Sequence, residues 1–225
     1  MKTISAICQT ILAITCFLFS TSSAIAEPVN LGNLRKQIER YHDSGAYLRE
    51  ITRIILCTEK IINHKVKVNR HRLHPQKLAI VLDIDETSLS YYSEMVHRQF
   101  TATEAQLHRE IRAANSPAIK PTLELYRQAI KQNISIFFIT GRKELERTPT
   151  QKNLRRAGFT HWSGIYFKPM NYHKSSTTPY KTQARADITR KGYTIIANIG
   201  DQYSDLKGGY AETWTKLPNP FYYLP

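Results

Sequence analysis

The feature that most constrains this chain is a set of four short apolar runs, at residues 78–82, 134–139, 164–167 and 193–199, each continuous rather than alternating. A strand with one face in water alternates apolar and polar residues. A continuous run suits a strand of a parallel sheet that is covered on both faces. Between the runs lie stretches with helix-like content, at 122–131, 151–157 and 182–190. Strand and helix in alternation predict an α/β fold, a Rossmann-like three-layer sandwich on a mainly parallel sheet. Ligands of such folds bind beyond the carboxyl ends of the strands. The residues to inspect are therefore Asp83 and Asp85, Thr140 with Gly141 and Arg142, Lys168, and Gly200 with Asp201.

At 225 residues the chain has room for one well-buried domain with a small addition. Apolar residues at helical spacing between 31 and 66, among them Tyr47, Ile51, Ile54 and Ile55, predict one or two helices packed on the main body. We delimit this helical appendage at 31–74, within a domain of 27–225. Residues 1–26 have the form of an export signal: Lys2, an apolar stretch broken by Gln9, Thr10 and Thr15, and the small residues Ala24 and Ala26. Cleavage after Ala26 is expected, with delivery to the periplasm or the extracellular space. The stretch falls short of the roughly 20 apolar residues of a membrane span, so no stable membrane anchor is expected after cleavage. Cys8 and Cys16 leave with that segment. Cys57, beside Ile54, Ile55 and Leu56, then has no internal partner and is expected to act as a small buried apolar residue.

The formal net charge is +14, or +13 once Lys2 is removed, which favours anionic partners. The densest basic run, Lys65, Lys67, Arg70, His71, Arg72 and His74, has no interleaved aromatic residues for base stacking. It is expected to be a solvated connector before the first strand, and no specific nucleic-acid binding is expected. Small phosphorylated molecules and an acidic membrane surface satisfy the charge as well, so charge alone does not choose among anions.

In the string VLDIDET, Asp83 and Asp85 stand at the end of the first apolar run. Two carboxylates so close at a buried strand end repel unless a cation or a proton lies between them. A hard divalent metal with oxygen ligands relieves that cost. FFITGR offers the Thr140 hydroxyl, and the backbone N–H groups around Gly141 form an anion cradle. GDQYSDLKGG adds Asp201 and, four residues on, Asp205. Each element alone is weak, because acidic turns and Thr-Gly-Arg turns are common. Together they place acidic or anion-binding groups at three separate strand ends.

These strings resemble a known family. VLDIDET, FFITGR, YKTQAR and NIGDQYSDL match in order the four motifs of haloacid dehalogenase-like (HAD) phosphatases. Within that superfamily the chain looks most like the secreted acid phosphatases of the class B-type, subfamily IIIB group. These are related to plant vegetative storage proteins and to bacterial lipoprotein acid phosphatases. SGAYLREI and KLPNPFYYLP look like that group's terminal signatures. The resemblance implies a HAD-like fold with a small cap or none, and hydrolysis of small phosphate monoesters, nucleotides among the candidates, through an aspartyl-phosphate. It implies Asp83 as nucleophile, Asp85 as general acid and base, and Thr140, Gly141 and Lys181 as phosphate-binding residues. It further implies Mg2+ held by Asp83, the backbone carbonyl of Asp85, and Asp201, with Asp205 ordering the metal's water shell or Lys181. Lys181 fits the family's Tyr-Lys pattern, and Lys168 at a strand end competes with it. Arg142 is a candidate substrate contact or the partner of a neighbouring acid. Tyr91, Tyr92 and Tyr203 are candidates to line a pocket or to join the core. The alternative reading is a non-catalytic anion-binding or storage protein on the same scaffold. The oligomeric state is open.

Overall fold

The computed structural model describes residues 27–225, so the expected export segment lies outside the described residues. Five strands make one sheet in the order β3-β2-β1-β4-β5: β1 (Lys77–Leu82), β2 (Ser135–Lys143), β3 (Gly164–Lys168), β4 (Tyr193–Gly200) and β5 (Trp214–Lys216). Every pairing is parallel. The helices are α1 (Leu31–Asp43), α2 (Ala46–Arg70), α3 (Tyr92–His97), α4 (Glu104–Ala113), α5 (Lys120–Lys131), α6 (Arg147–Arg156), α7 (Thr178–Arg190) and α8 (Tyr203–Leu206). A 3-10 turn, Glu144–Glu146, leads into α6.

The continuous apolar runs are two-faced, as a doubly covered sheet requires. In β1, Ile80 and Leu82 join the larger core cluster while Ala79 and Val81 join the smaller; in β2, Ile136 and Phe138 oppose Phe137 and Ile139 in the same way. The larger cluster gathers α2, α5 and Leu154 of α6 on one face, and the smaller is closed by Ala184 and Ile188 of α7 on the other.

The segment delimited as an appendage shares the main core. Tyr47, Ile51, Ile55, Ile62 and Val66 of α2 are all buried, at the three- and four-residue spacing that gives a helix one apolar face. Cys57 points the other way and is exposed, correcting the expectation of a buried thiol. It follows Leu56, itself 52% exposed, on the outer side of the helix. Lys65, Lys67 and Arg70 belong to α2 itself, and only His71, Arg72 and His74 lie in the connector to β1. Among the described residues no helix is long and apolar enough to cross a membrane.

Leu82, the last residue of β1, pairs with Phe138 of β2 and with Ile199 of β4, while β2 itself continues to Lys143. That register brings Asp83, the Thr140–Arg142 stretch of β2 and Asp201 to one edge of the sheet. The segment between β1 and α5, which carries α3 and α4, and the carboxyl tail after β5 both line the cavity at that edge.

Candidate active site

Asp83 directly follows β1, and its backbone N–H continues the sheet by donating to Ile199 O at 2.9 Å. Its carboxylate is fixed by the buried Lys181, whose ammonium donates to Asp83 Oδ1 and to Asp205 Oδ1, each at 2.6 Å. Carboxylate oxygens of Asp83, Asp201 and Asp205 lie within 4.8 Å of one another, and all three residues are buried. This is an oxygen-only donor set of the kind a hard divalent cation takes.

Burial raises the Asp83 carboxyl well above the usual range; Lys181 offsets part of this, and Asp205, Asp201 and Asp85 add to it. Burial, with the Asp205 charge, also pushes Asp201 up to about 6, against hydrogen bonds from Asn219 and Gln202. Burial works against the Lys181 charge too, yet Asp205 and Asp83 outweigh it and hold the lysine above its ordinary value. An acidic cluster with one ammonium among three carboxylates is under-neutralised. Its residues fit a divalent metal in charge and in chemistry.

Asp201 is oriented from three directions. Thr87 Oγ1 donates to its Oδ1 at 3.0 Å, while Gln202 Nε2 and Asn219 Nδ2 donate to its Oδ2 at 2.8 and 2.6 Å. Asp205 sits one turn later because Gln202 N donates to its Oδ2 at 2.8 Å, in a capping box at the start of α8. The fully buried Arg185 of α7 pins the backbone that carries it, donating to Asp205 O at 2.6 Å, to Gly209 O at 2.8 Å and to Lys207 O. Gly200 permits this approach: a Cβ there would lie 2.5 Å from Asp205 Cβ.

Asp85 is set apart from this cluster. Its side chain, 33% exposed, accepts from Arg142 Nη2 at 2.7 Å and from Nε at 3.1 and 3.2 Å. Thr140 Oγ1 is 3.5 Å away and accepts from Arg142 N at 3.1 Å. Arg142 is itself buried and also donates to Thr150 Oγ1 at 2.8 Å and to Tyr91 OH at 2.6 Å. Of the two roles open to Arg142, the structure shows pairing with an acid. Gly141 lines the cavity, and a Cβ on it would meet nothing nearer than 3.8 Å.

Several expectations are sharpened or corrected. Lys181 stands in the cluster, whereas Lys168 is at the cavity wall without an ion pair among the described residues. Asp205 holds Lys181 at 2.6 Å, one of the two supporting places expected for it, and its carboxylate also lies with those of Asp83 and Asp201. Tyr91 lines the cavity, but Tyr92 stacks on His42 with ring centroids 3.3 Å apart and donates to Asp43 Oδ1 at 2.8 Å. Tyr203 is 53% exposed and flanked by Lys207 and Lys216, outside the cavity. Two buried residues of VLDIDET escaped the sequence reading: Thr87, and Glu86, which accepts from Tyr91 N at 2.5 Å and is pushed up to about 8 mainly by burial. Asn219 escaped it too. The available signal was their place inside the motif and inside the terminal signature.

The chain belongs to the HAD superfamily, subfamily IIIB (acid phosphatase), whose family model matches residues 13–225. It is 34% identical over 148 residues to Acid phosphatase 1 of Solanum lycopersicum, covering 64% of this chain and 58% of that protein. It is 37% identical over 161 residues to the Stem 28 kDa glycoprotein of Glycine max, covering 68% and 62%. It is 34% identical over 149 residues to Vegetative storage protein 1 of Arabidopsis thaliana, covering 64% and 55%. The chain thus spans less than two thirds of the length of each of these relatives. Among solved structures, the Class C acid phosphatase from Bacillus anthracis superposes with a TM-score of 0.66 at 19% identity, covering 86% of both chains. That likeness is one of fold.

Proposed function

We propose that this chain is an exported, Mg2+-dependent acid phosphatase that hydrolyses small phosphate monoesters by attack of Asp83 on phosphorus. The observation that carries the reading is the Lys181 ammonium held between Asp83 and Asp205, with Asp201 alongside, at the carboxyl ends of the central strands. Asp83, the backbone carbonyl of Asp85, and Asp201, with Asp205 in reach, would hold the ion. When bound, Mg2+ supplies charge neutralisation for the phosphoryl oxygens.

The remaining chemistry belongs to the chain. The Asp83 carboxylate forms a bond to phosphorus as the bond to the leaving oxygen breaks, which splits a difficult hydrolysis into two steps. Lys181 neutralises phosphoryl charge, and the N–H groups around Gly141 cradle its oxygens. Asp85 hands a proton to the leaving oxygen, then takes one from the water that attacks phosphorus, freeing Asp83 and releasing inorganic phosphate. Its pairing with Arg142 fixes Asp85 at rest, so substrate entry must loosen that pair for the carboxyl to face the leaving oxygen.

Trapping separates the two aspartates. With a labelled aryl phosphate, whose leaving group needs little protonation, Asp85→Asn should accumulate label on Asp83 and turn over slowly, while Asp83→Asn should show neither label nor turnover. The reverse pattern would exchange the roles, and label on a histidine would overturn the carboxylate nucleophile. The storage reading is favoured by the vegetative storage proteins among the relatives. It is tested by p-nitrophenyl phosphate with and without chelator: no turnover in Mg2+ supports storage. Export rests on the character of the first 26 residues, and mass spectrometry of the active protein should find Glu27 first.

A further inference from the structure

The acidic cluster lies at one end of a cavity of about 500 Å³, a volume within the range of small-molecule sites and larger than a phosphoryl group requires. Besides the cluster, and the connection from β3 to α7 with Lys168, Lys174, Ser175 and Thr177, the cavity is lined by two segments that the proposed chemistry does not use. One is the α3–α4 segment, which presents Met95, Phe100, Leu107 and Ile111; the other is the carboxyl tail, which presents Phe221 and Leu224.

Both walls are built in. Gln99 and Phe100 adopt left-handed backbone angles of φ 54° and 58°, an unfavourable choice for non-glycine residues. This turn sets the Phe100 ring parallel to Phe221, with centroids 6.2 Å apart and planes at 11°. The tail is tied to the residues around Asp201: Leu224 N donates to Gln202 Oε1 at 3.2 Å, and Ser204 Oγ donates to Leu224 O at 3.3 Å. Leu107 is 41% exposed although it faces a cavity, so an apolar occupant would remove it from water.

Beside the α3–α4 segment the cations Arg98 and Lys143 are already paired, while Lys168 and Lys174 of the cavity wall have no ion pair among the described residues. Arg98 pairs with Glu110 at 3.2 Å, Lys143 pairs with Glu104, and His108 Nδ1 lies 2.5 Å from Glu146 Oε1. A second phosphate or a carboxylate placed against the α3–α4 segment meets Glu104 and Glu110 as well as Arg98 and Lys143 and gains no net counter-charge there.

We propose that the α3–α4 segment and the tail form the leaving-group pocket, and that it selects monoesters of uncharged apolar alcohols over nucleoside diphosphates and sugar phosphates. This rests on the phosphatase reading above and names its substrate class. Leu107 and Phe100 are then specificity-determining residues.

The test uses alkylphosphonates, which cannot be hydrolysed, and the matching alkyl phosphates, whose alcohols differ little in acidity. Binding of ethyl-, butyl- and hexylphosphonate is measured by calorimetry on the Mg2+-loaded protein, and kcat/KM is measured for the three esters. Burial of each methylene gives up to about fourfold, so affinity and kcat/KM should rise by about tenfold or more from ethyl to hexyl. Leu107→Ser should lower the hexyl-to-ethyl ratio by about threefold or more. Leu73→Ser, at a residue 90% exposed in the connector before β1, should leave that ratio unchanged. A flat or falling series, with p-nitrophenyl phosphate still hydrolysed, overturns the pocket and leaves the phosphatase reading standing. A preference for adenosine diphosphate over hexyl phosphate overturns it as well, and assigns Lys168 and Lys174 of the cavity wall to a second phosphate. Failure of every phosphonate and of inorganic phosphate to bind overturns both readings together.

Discussion

Replacing Lys181 by Met isolates the electrostatics on which the site depends. Methionine keeps an unbranched chain of similar length, so the cavity left behind is small, and the substitution removes one ammonium and two hydrogen bonds of 2.6 Å. Lys181 is only 3% exposed, and the side chains of Asp83 and Asp205 are 6% and 5% exposed, so water cannot replace it. Breaking a buried ion pair by removing one partner costs about 3–5 kcal/mol, because the charge left behind is uncompensated. For a domain of this size, about 2–4 °C per kcal/mol places the loss in melting temperature at about 6–20 °C. The loss should depend on pH with a definite sign. Asp83 is already held above the ordinary aspartate value of 3.8, so the folded state binds more protons than the unfolded chain above that value, and stability falls as pH rises. Without Lys181 that slope steepens. The variant's deficit should be larger at pH 8 than at pH 5, where protonation removes the unpaired charge. Urea denaturation of both proteins in excess chelator at the two pH values measures this. A deficit under about 1 kcal/mol at pH 8, or a larger one at pH 5, would refute the claim that Lys181 neutralises the cluster.

The metal should compete with a proton: because Asp201 is pushed up to about 6 by burial, apparent Mg2+ affinity measured by calorimetry should fall about fivefold from pH 6 to pH 5 and approach about tenfold per pH unit below that. Affinity that is level from pH 7 to pH 5 would contradict the assignment. Gly200→Ala drives a Cβ to 2.5 Å from Asp205 Cβ, so it should cost about 1–3 kcal/mol and lower kcat sharply by displacing Asp205; unchanged kinetics would show that Asp205 is dispensable. Ile51→Ala, at a fully buried position of α2, should cost about 2–5 kcal/mol in denaturant; a loss under about 0.5 kcal/mol would mean that the amino-terminal helices merely rest on the domain.

Much of this architecture was legible in the order of residues. Continuous apolar runs announced β1 to β4, and the strand-end rule led to Asp83, Asp85, Thr140 and Asp201, because both signals are local and follow from covering each sheet face. The edge strand β5 was not legible, since Trp214, Thr215 and Lys216 carry no continuous apolar run and Trp214 is 57% exposed. Partner choice lay beyond the sequence. Nothing in the spacing decides that Arg142 reaches Asp85, that Lys181 meets Asp83 across 98 positions, or that Tyr91 enters the cavity while Tyr92 stacks on His42. Nor does it decide that Cys57 faces water, which depends on the rotation of α2 against the sheet. These outcomes are settled when buried charges must find counter-charges and packed faces must exclude water. Such demands act between segments distant in the chain, and only the folded arrangement satisfies them.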